Sequence, residues 1–190
     1  MPDNKVRFGL KNLHAGTYTE ALGGTITLGT PMAVPGAVRM NLEPSTEEVV
    51  FYADDVRYYV DYSDNGFDGE LEMAMFPDAF KTAFLNYVTL ADGGIAQVKG
   101  MPTKPMYLVF ESDGDAEKRR GIVYNLKPGM IQREYQTREA SKTPVTATLP
   151  FMVSGVNSNG VTRVSYGQST AVYSTIFETP PVPVLPGTSE

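Results

Sequence analysis

Apolar and polar residues alternate with a period of two along much of the chain, which predicts β-strands. A regular alternation covers the nine residues 145–153, and a near-continuous apolar run at 105–112 predicts a central strand. Gly9 to Gly16 has the composition of a loop. Further short alternations predict strands at 25–29, 36–42, 121–126, 130–139, 161–166 and 171–177. The pattern therefore favours an all-β domain.

Residues 51–88 are the most informative stretch. Residues 56–61 alternate as in a half-buried strand, and Asn65-Gly66 is the pair best able to form a two-residue hairpin turn. The second strand places Leu71, Met73 and Met75 on one face and Asp68, Glu70 and Glu72 on the other. Pro77 and Asp78 suit the first turn of a short helix. Its apolar stripe is expected to pack on the sheet and comprises Phe80, Phe84, Tyr87 and Val88.

The chain of 190 residues, 42% of them apolar, is long enough for one globular domain. We expect that domain to cover residues 1–178, with an arm or edge strand at 1–8 and a long excursion at about 43–56. Residues 179–190 are rich in proline and predict an extended arm. The chain has no cysteine, no apolar leader and no run near 18 apolar residues, so secretion and membrane spanning are not expected.

Charge is concentrated in the same stretch. Residues 51–76 hold seven acids and one base, a net charge of −6, which equals that of the whole chain; the remaining residues carry 15 acids and 15 bases. An acidic protein of this kind is unsuited to reading nucleic acid, which requires a basic surface. The acidic stripe Asp68, Glu70 and Glu72 has a simple interpretation as the solvent face of a sheet. A stripe of one sign also suits a surface that repels something negative.

One motif matches the spacing of a calcium-binding loop. Asp61, Ser63, Asn65 and Gly66, with Glu72 as the twelfth residue, follow the EF-hand pattern. The flanking periodicity is that of strands rather than helices, which favours a β-hairpin turn over a metal site. We therefore expect no metal site and no cofactor.

Catalytic patterns are weak. His14 is the one histidine, and no G-x-S-x-G sequence accompanies it, so a loop histidine is the simpler interpretation. Asp54-Asp55 and Glu70/Glu72 offer paired carboxylates of the type used in glycoside hydrolysis, although acidic strand faces are common. We expect no catalytic residue and no enzymatic activity.

A series of short segments resembles the major tail tube proteins of long-tailed, non-contractile (siphovirus-type) bacteriophages. The resemblance is best over residues 5–90. The segments that carry it are Lys11-Asn12-Leu13-His14-Ala15, Gly36-Ala37-Val38, Phe51-Tyr52-Ala53-Asp54-Asp55, Gly69-Glu70-Leu71-Glu72 and Pro77-Asp78-x-Phe80.

The resemblance implies two packed antiparallel β-sheets, sandwich- or barrel-like, with one flanking helix. It implies a structural virion protein whose hexameric rings stack into a tube that conducts genomic DNA. The expected partners are further copies of the chain, the tape-measure protein, the tail terminator and the distal tail protein, with transient, non-specific passage of phage DNA. The expected location is the virion tail, after assembly in the host bacterial cytoplasm.

The same resemblance gives roles to the acidic and polar segments. Asp68, Glu70 and Glu72 are expected to face the lumen, where negative charge would keep DNA from sticking. The excursion at 43–56 is expected to connect one ring to the next. Its candidate stacking residues are Glu47, Glu48, Phe51, Tyr52, Asp54 and Asp55.

Two other functions stay open. One is a β-sandwich ligand- or glycan-binding module that uses acids and the tyrosines Tyr58, Tyr59 and Tyr62. The other is a carboxylate-dependent hydrolase, which would lose activity on Glu70→Gln or Asp54→Asn.

Overall fold

The computed structural model describes residues 8–113, 118–135, 137 and 145–186, and the fold is mainly β, with 53% strand and 7% helix. The expected arm at 1–8 lies outside the described residues except for Phe8, which begins the first strand. The strands are β1 (Phe8–Glu20), β2 (Ile26–Leu28), β3 (Met32–Ala33), β4 (Ala37–Ala53), β5 (Val56–Met73), β6 (Tyr87–Thr89), β7 (Ile95–Gln97), β8 (Met106–Asp113), β9 (Arg120–Pro128), β10 (Gln132–Arg133), β11 (Ala147–Val153) and β12 (Arg163–Tyr166). One α-helix, α1 (Asp78–Phe84), and one 3₁₀ turn (Ala171–Ser174) accompany them, and no helix in the described part is long and apolar enough to cross a membrane.

In the described part of the chain, ten strands form one large antiparallel sheet, and β6 and β7 form a small second sheet. The main order is β2-β1-β8-β9-β11-β5-β4, with β3, β10 and β12 paired at the side. Strand β9 has two partners on one edge, because its first half pairs with β12 and its second half with β11. Between these halves Asn125 has a positive φ of 48° and donates from Nδ2 to the Gly155 carbonyl at 2.5 Å. The sheet therefore divides at β9 into two parts that pack in a sandwich-like arrangement.

Two cores fill the spaces beside the sheet. The larger lies between β1, β8 and β9 on one side and β4, β5, β11 and α1 on the other, with Leu71, Leu108 and Leu149 fully buried. The smaller lies on the opposite face of β8 and β9 and includes Tyr107 and Tyr124. Alternate residues of β8 therefore enter different cores, which confirms the predicted central strand at 105–112.

Helix α1 is shorter than its predicted apolar stripe. Pro77 precedes it, and Phe80 and Phe84 are buried with their ring centroids 5.2 Å apart. The backbone becomes extended at Leu85, which ends the helix. The prediction that Tyr87 and Val88 continue the helical stripe is therefore wrong, since both lie in β6, where Tyr87 is buried and Val88 half-buried.

Several predicted loops and strands are also corrected. Residues 9–16 belong to β1; Gly9 and Asn12 lie at two register shifts with positive φ, which gives a bulged strand the composition of a loop. Of the predicted strand at 130–139, only Gln132 and Arg133 pair, and residues 136, 138 and 139 lie outside the described part.

The segment 171–177 is a 3₁₀ turn and further turns rather than a strand. It covers the smaller core with the buried side chain of Ile176. Arg120 fixes it, because its guanidinium lies 4.0 Å from the Tyr173 ring centroid and 4.7 Å from that of Phe177. The same guanidinium pairs with Glu111 at 3.3 Å.

The proline-rich segment is docked on the domain as far as it is described. The hydroxyl of Tyr124 donates to the Pro181 carbonyl at 2.8 Å, and Nδ2 of Asn159 donates to the Pro183 carbonyl at 2.8 Å. As far as it is described, the predicted extended arm at 179–190 therefore lies against the domain, and residues 187–190 lie outside the described part.

Candidate assembly surfaces

The predicted excursion at 43–56 is one half of a long hairpin made by β4 and β5. Its turn is Asp54-Asp55, with φ of 52° and 61°, as a two-residue hairpin loop requires. The predicted turn at Asn65-Gly66 is therefore wrong. That pair forms a β-bulge inside β5, where the two residues face Ser45 alone. Gly66 has a φ of 86°, so the same conformational freedom serves a bulge instead of a turn.

The bulge divides the hairpin into two parts. The hairpin base, residues 37–44 and 67–73, pairs along β5 with β11. The distal ribbon, residues 45–66, continues beyond the reach of β11, which pairs with β5 from Phe67 onward. In the described part of the chain, the strands of the distal ribbon thus pair only with each other.

The distal ribbon exposes apolar side chains on both faces. Tyr58 is 73% exposed and Phe51 59% exposed. Cross-strand pairing puts Phe51 opposite Tyr59 on one face and Val50 opposite Val60 on the other. The full set of exposed large apolar side chains is Val49, Phe51, Tyr52, Val56, Tyr58, Tyr59, Val60 and Tyr62. A surface of this composition is typical of a protein–protein interface.

The stacking candidates all lie on this ribbon. Glu47 and Glu48 occupy successive positions of β4 and so face opposite sides, and Asp54 and Asp55 form the tip. Glu48 pairs with Arg57 at 3.5 Å, and Nε of Arg57 donates to the Tyr52 hydroxyl at 3.3 Å. This cluster ties the two strands together near the tip.

A second cluster lies on the other face of the ribbon. The hydroxyl of Tyr59 donates to Oδ2 of Asp61 at 2.8 Å, and the Tyr62 backbone N–H donates to Oδ1. These bonds lower the pKa of Asp61 and raise the pKa of Tyr59, the Tyr59–Asp61 bond having the largest effect on both. The sequence pattern predicted a half-buried strand at residues 56–61, whereas Tyr58 and Tyr59 in that strand are exposed, as is the neighbouring Tyr62.

The acidic stripe lies on the outward face of the hairpin base. Asp68 and Glu70 are exposed and Glu72 is partly exposed. Leu71 and Met73, which alternate with these acids along β5, point to the opposite face and enter the larger core. Register places Glu43 opposite Asp68, so β4 adds a fourth carboxylate that the sequence analysis did not assign. We call Glu43, Asp68, Glu70 and Glu72 the acidic face.

The acidic face is neutralised at one end. Glu72 forms an ion pair with Arg39, whose Nε lies 3.4 Å away, and accepts a hydrogen bond from Thr146 Oγ1 at 2.7 Å. Strand β11 places Met152 beside Asp68, and β9 places Lys127 beside Met152, so both side chains lie on the same side of the sheet as the acidic face. A groove of about 560 Å³ runs between these strands, lined by Asn41, Glu43, Asp68, Glu70, Lys127, Pro150 and Met152.

The residues that match the spacing of metal-binding or catalytic motifs in the sequence are spread along the chain. Asp61, Ser63 and Glu72 lie on one extended strand, so their oxygens do not converge as in a calcium loop. Asp54 at the tip and Glu70 in the base are separated by roughly 40 Å of strand. His14 is half-buried in β1; its Nδ1 lies 2.9 Å from the Asn12 carbonyl oxygen and its ring packs on Phe177 at 4.8 Å.

Comparison with known protein families finds no family model that matches the chain, and no curated protein matches it.

Proposed function

We propose that this chain is a structural protein that polymerises as stacked hexameric rings into the tail tube of a long-tailed, non-contractile bacteriophage. One observation carries the proposal: the distal ribbon exposes eight large apolar side chains that no other strand in the described residues covers. Exposed ribbons of this kind are normally covered in an assembly, because they are otherwise prone to aggregation. The resemblance of residues 5–90 to tail tube proteins supplies the kind of assembly.

The sheet edges support repeated association. Strand β4 forms one edge of the large sheet and β2 the other, and each has one side without a partner in the described part of the chain. Pairing between neighbouring copies in a closed ring would remove both edges. Stacking of rings through the ribbon would then extend the assembly along the tube axis.

The acidic face suits the wall of a channel for DNA. Asp68 and Glu70 are exposed and form no ion pair with any basic residue that the structure describes, so their charge faces solvent. A polyanion that passes such a wall is repelled rather than bound, because binding depends on cations that contact its phosphates. The proposed partners are other copies of the chain, the tape-measure protein, the tail terminator and the distal tail protein, within the virion tail.

Negative-stain microscopy of concentrated purified protein tests the proposal. We expect rings or tubes from the natural chain. The matched variant replaces residues 45–66 by Asn-Gly, because Pro44 and Phe67 face each other and a two-residue turn can join them. Removing only residues 45–55 would instead leave residues 56–66 as an unpaired strand.

This ribbonless variant should be a folded monomer by circular dichroism and sedimentation. A natural chain that stays monomeric at every concentration would contradict the proposal. Normal tubes from the ribbonless variant would contradict the stacking role of the ribbon.

The lumenal role has its own test. Tubes of the Asp68→Lys/Glu70→Lys variant should retain duplex DNA at low salt, whereas tubes of the natural chain should not. If the two kinds of tube bind DNA equally, the acidic face does not line the channel.

A second function, a ligand- or glycan-binding module, is favoured by the groove of about 560 Å³ on the acidic face. The ribbonless monomer retains this groove. Saturable binding of an oligosaccharide or of Ca²⁺ by that monomer, lost in Glu70→Gln, would favour this function over the tube.

A further inference from the structure

A second groove opens where the two parts of the large sheet separate at β9. It measures about 310 Å³ and lies between the ends of β8, β9 and β12 and the base of the hairpin. Its apolar lining consists of Leu42, Phe110, Ile122, Val123 and Val164. A cavity of this size accommodates an aromatic side chain. We call it the β9 groove.

The polar lining of the β9 groove is positively charged. Arg119 and Arg163 lie at its border, and no carboxylate is among the described residues that line it. The Arg163 guanidinium lies 5.1 Å from the ring centroid of Phe67, which holds it beside the opening. Ser112 and Ser165 complete the polar part of the lining. The groove thus combines an apolar floor with a cationic border.

The ribbon tip has the complementary composition. Phe51 and Tyr52 are each 59% exposed, and Asp54 and Asp55 form the turn just beyond them. Aromatic side chains and arginine are the commonest anchors of protein interfaces. Opposite charges at the border of an interface favour correct orientation and faster association.

The ribbon cannot reach the β9 groove of its own chain. Leu42 lines the groove and lies two residues before Pro44, so the ribbon begins beside the opening. Ala53 lies nine positions after Pro44, and the paired strands carry the tip roughly 30 Å away. A two-stranded ribbon would have to fold back on itself to return. A tip that occupies this groove must therefore belong to another copy of the chain.

We propose that the tip of one copy docks in the β9 groove of a second copy, with an aromatic side chain on the apolar floor and Asp54 and Asp55 against Arg119 and Arg163. The two surfaces differ, so the contact is head-to-tail and can repeat without limit. This inference deepens the proposed function, since it names the surface that receives the ribbon between rings.

Cross-linking between single-cysteine variants tests the contact in the full chain, which contains no cysteine of its own. Asp55→Cys is mixed with Ser165→Cys, an exposed position in the groove, under mild oxidation. The matched control mixes Asp55→Cys with Thr89→Cys, an exposed strand residue outside the groove. We expect several-fold more disulfide-linked dimer from the first pair. Equal yields would overturn the inference.

Charge reversal provides an independent test. Arg163→Glu and, separately, Asp54→Lys/Asp55→Lys should each abolish stacking, and the combined variant should restore it. Arg133→Glu, an exposed arginine outside the β9 groove, is the control and should stack normally. Loss of stacking in both reversals without restoration in the combined variant would overturn the inference.

The outcomes separate this inference from the tube function. Tubes of the natural chain without selective cross-linking would leave the tube function standing and refute docking in the β9 groove. Selective cross-linking without rings or tubes would support the docking contact and refute the tube.

Discussion

The hairpin base and the distal ribbon are parts of the same two strands, yet they meet different surroundings. In the base, Leu71 and Met73 are fully buried against β11 and the rest of the larger core. In the ribbon, Tyr58 and Tyr62 are 73% and 64% exposed. The hydrogen-bonded ladder between β4 and β5 runs through both parts. Strand pairing alone therefore does not determine burial.

The distribution of apolar residues explains the difference. In the base they alternate with polar ones, as Met40 and Leu42 do with Arg39, Asn41 and Glu43, so one face is apolar. In the ribbon they are consecutive, as in residues 49–52 and 58–60, so both faces are apolar. The first pattern suits a strand that covers its own core, and the second suits a strand covered by partners on two sides.

The largest expected effect is on the free energy of unfolding, which should respond to a truncation in the hairpin base and not to one in the distal ribbon. Leu71→Ala should lower the free energy of unfolding by about 2–5 kcal/mol, because it leaves a cavity in the larger core. Tyr58→Ala, the matched truncation in the ribbon, should change it by less than about 0.5 kcal/mol. Urea unfolding of the monomer measures both. Equal losses would mean that the ribbon is part of the folding core.

The junction between the two parts should be the next most sensitive position. Gly66→Ala should cost about 2–4 kcal/mol, because a methyl group there would meet the Val153 carbonyl and the φ is 86°. Gly93 has the same φ with open space around it, so Gly93→Ala should cost only about 1 kcal/mol. Thermal unfolding compares them. A Gly66→Ala variant as stable as Gly93→Ala would show that the bulge relaxes without cost.

A hydrogen-bonded junction at the surface of the body, around the Glu20 carboxylate, gives a smaller, pH-dependent effect. Burial acts to raise the pKa of Glu20, but hydrogen bonds from Tyr18 and from Asn157 and Ser158 lower it below its ordinary value. Their contribution is present above the ordinary carboxyl pKa and is lost as pH falls through the lowered pKa of the folded state.

The Glu20→Gln variant measures this contribution. It should lose about 1 kcal/mol at neutral pH, since the carboxylate is largely exposed and water screens it. The difference from the natural chain should vanish in acid. Unfolding by urea at several pH values provides the test, and a difference that does not depend on pH would contradict the role of the charge.

The smallest effect should come from an acid on the ribbon. Asp61 also has a lowered pKa, yet it is exposed and its partner Tyr59 is on the same strand. Asp61→Asn should leave the stability of the monomer unchanged. It should also lower the pKa of Tyr59 toward its ordinary value, because the carboxylate that raises it is gone. Ultraviolet titration of tyrosine detects that shift against Tyr59→Phe as a reference. A clear loss of stability would show that the ribbon contributes to the folded body.

The elements buried by the chain itself are the ones that the sequence predicts well. The apolar run at 105–112 and the alternation at 145–153 correspond to β8 and β11 because both strands face the cores. The turn could not be placed from residue preferences, since Asn65-Gly66 supplies a positive φ equally well in a bulge. Asp54-Asp55 has a weaker preference for the turn that it forms.

The candidate surfaces were predicted in part. The sequence identifies the charge of Asp68 and Glu70, but only register brings Glu43 beside them. Periodicity could not show that the ribbon is exposed, because a face covered by a partner and a face covered by the chain's own core have the same pattern. The consecutive apolar residues at 58–60 were the available signal.

Because the bulge at Asn65-Gly66 lies where the pairing with β11 ends, the length of the distal ribbon can change without altering the hairpin base. Adding or removing one residue on each strand beyond it changes the reach by roughly 3.3 Å and leaves the register of β5 with β11 untouched. Each such step turns the outermost side chains to the opposite face, so only steps of two residues per strand keep the same faces. Related chains could therefore differ in the spacing between successive layers of an assembly while sharing the same body.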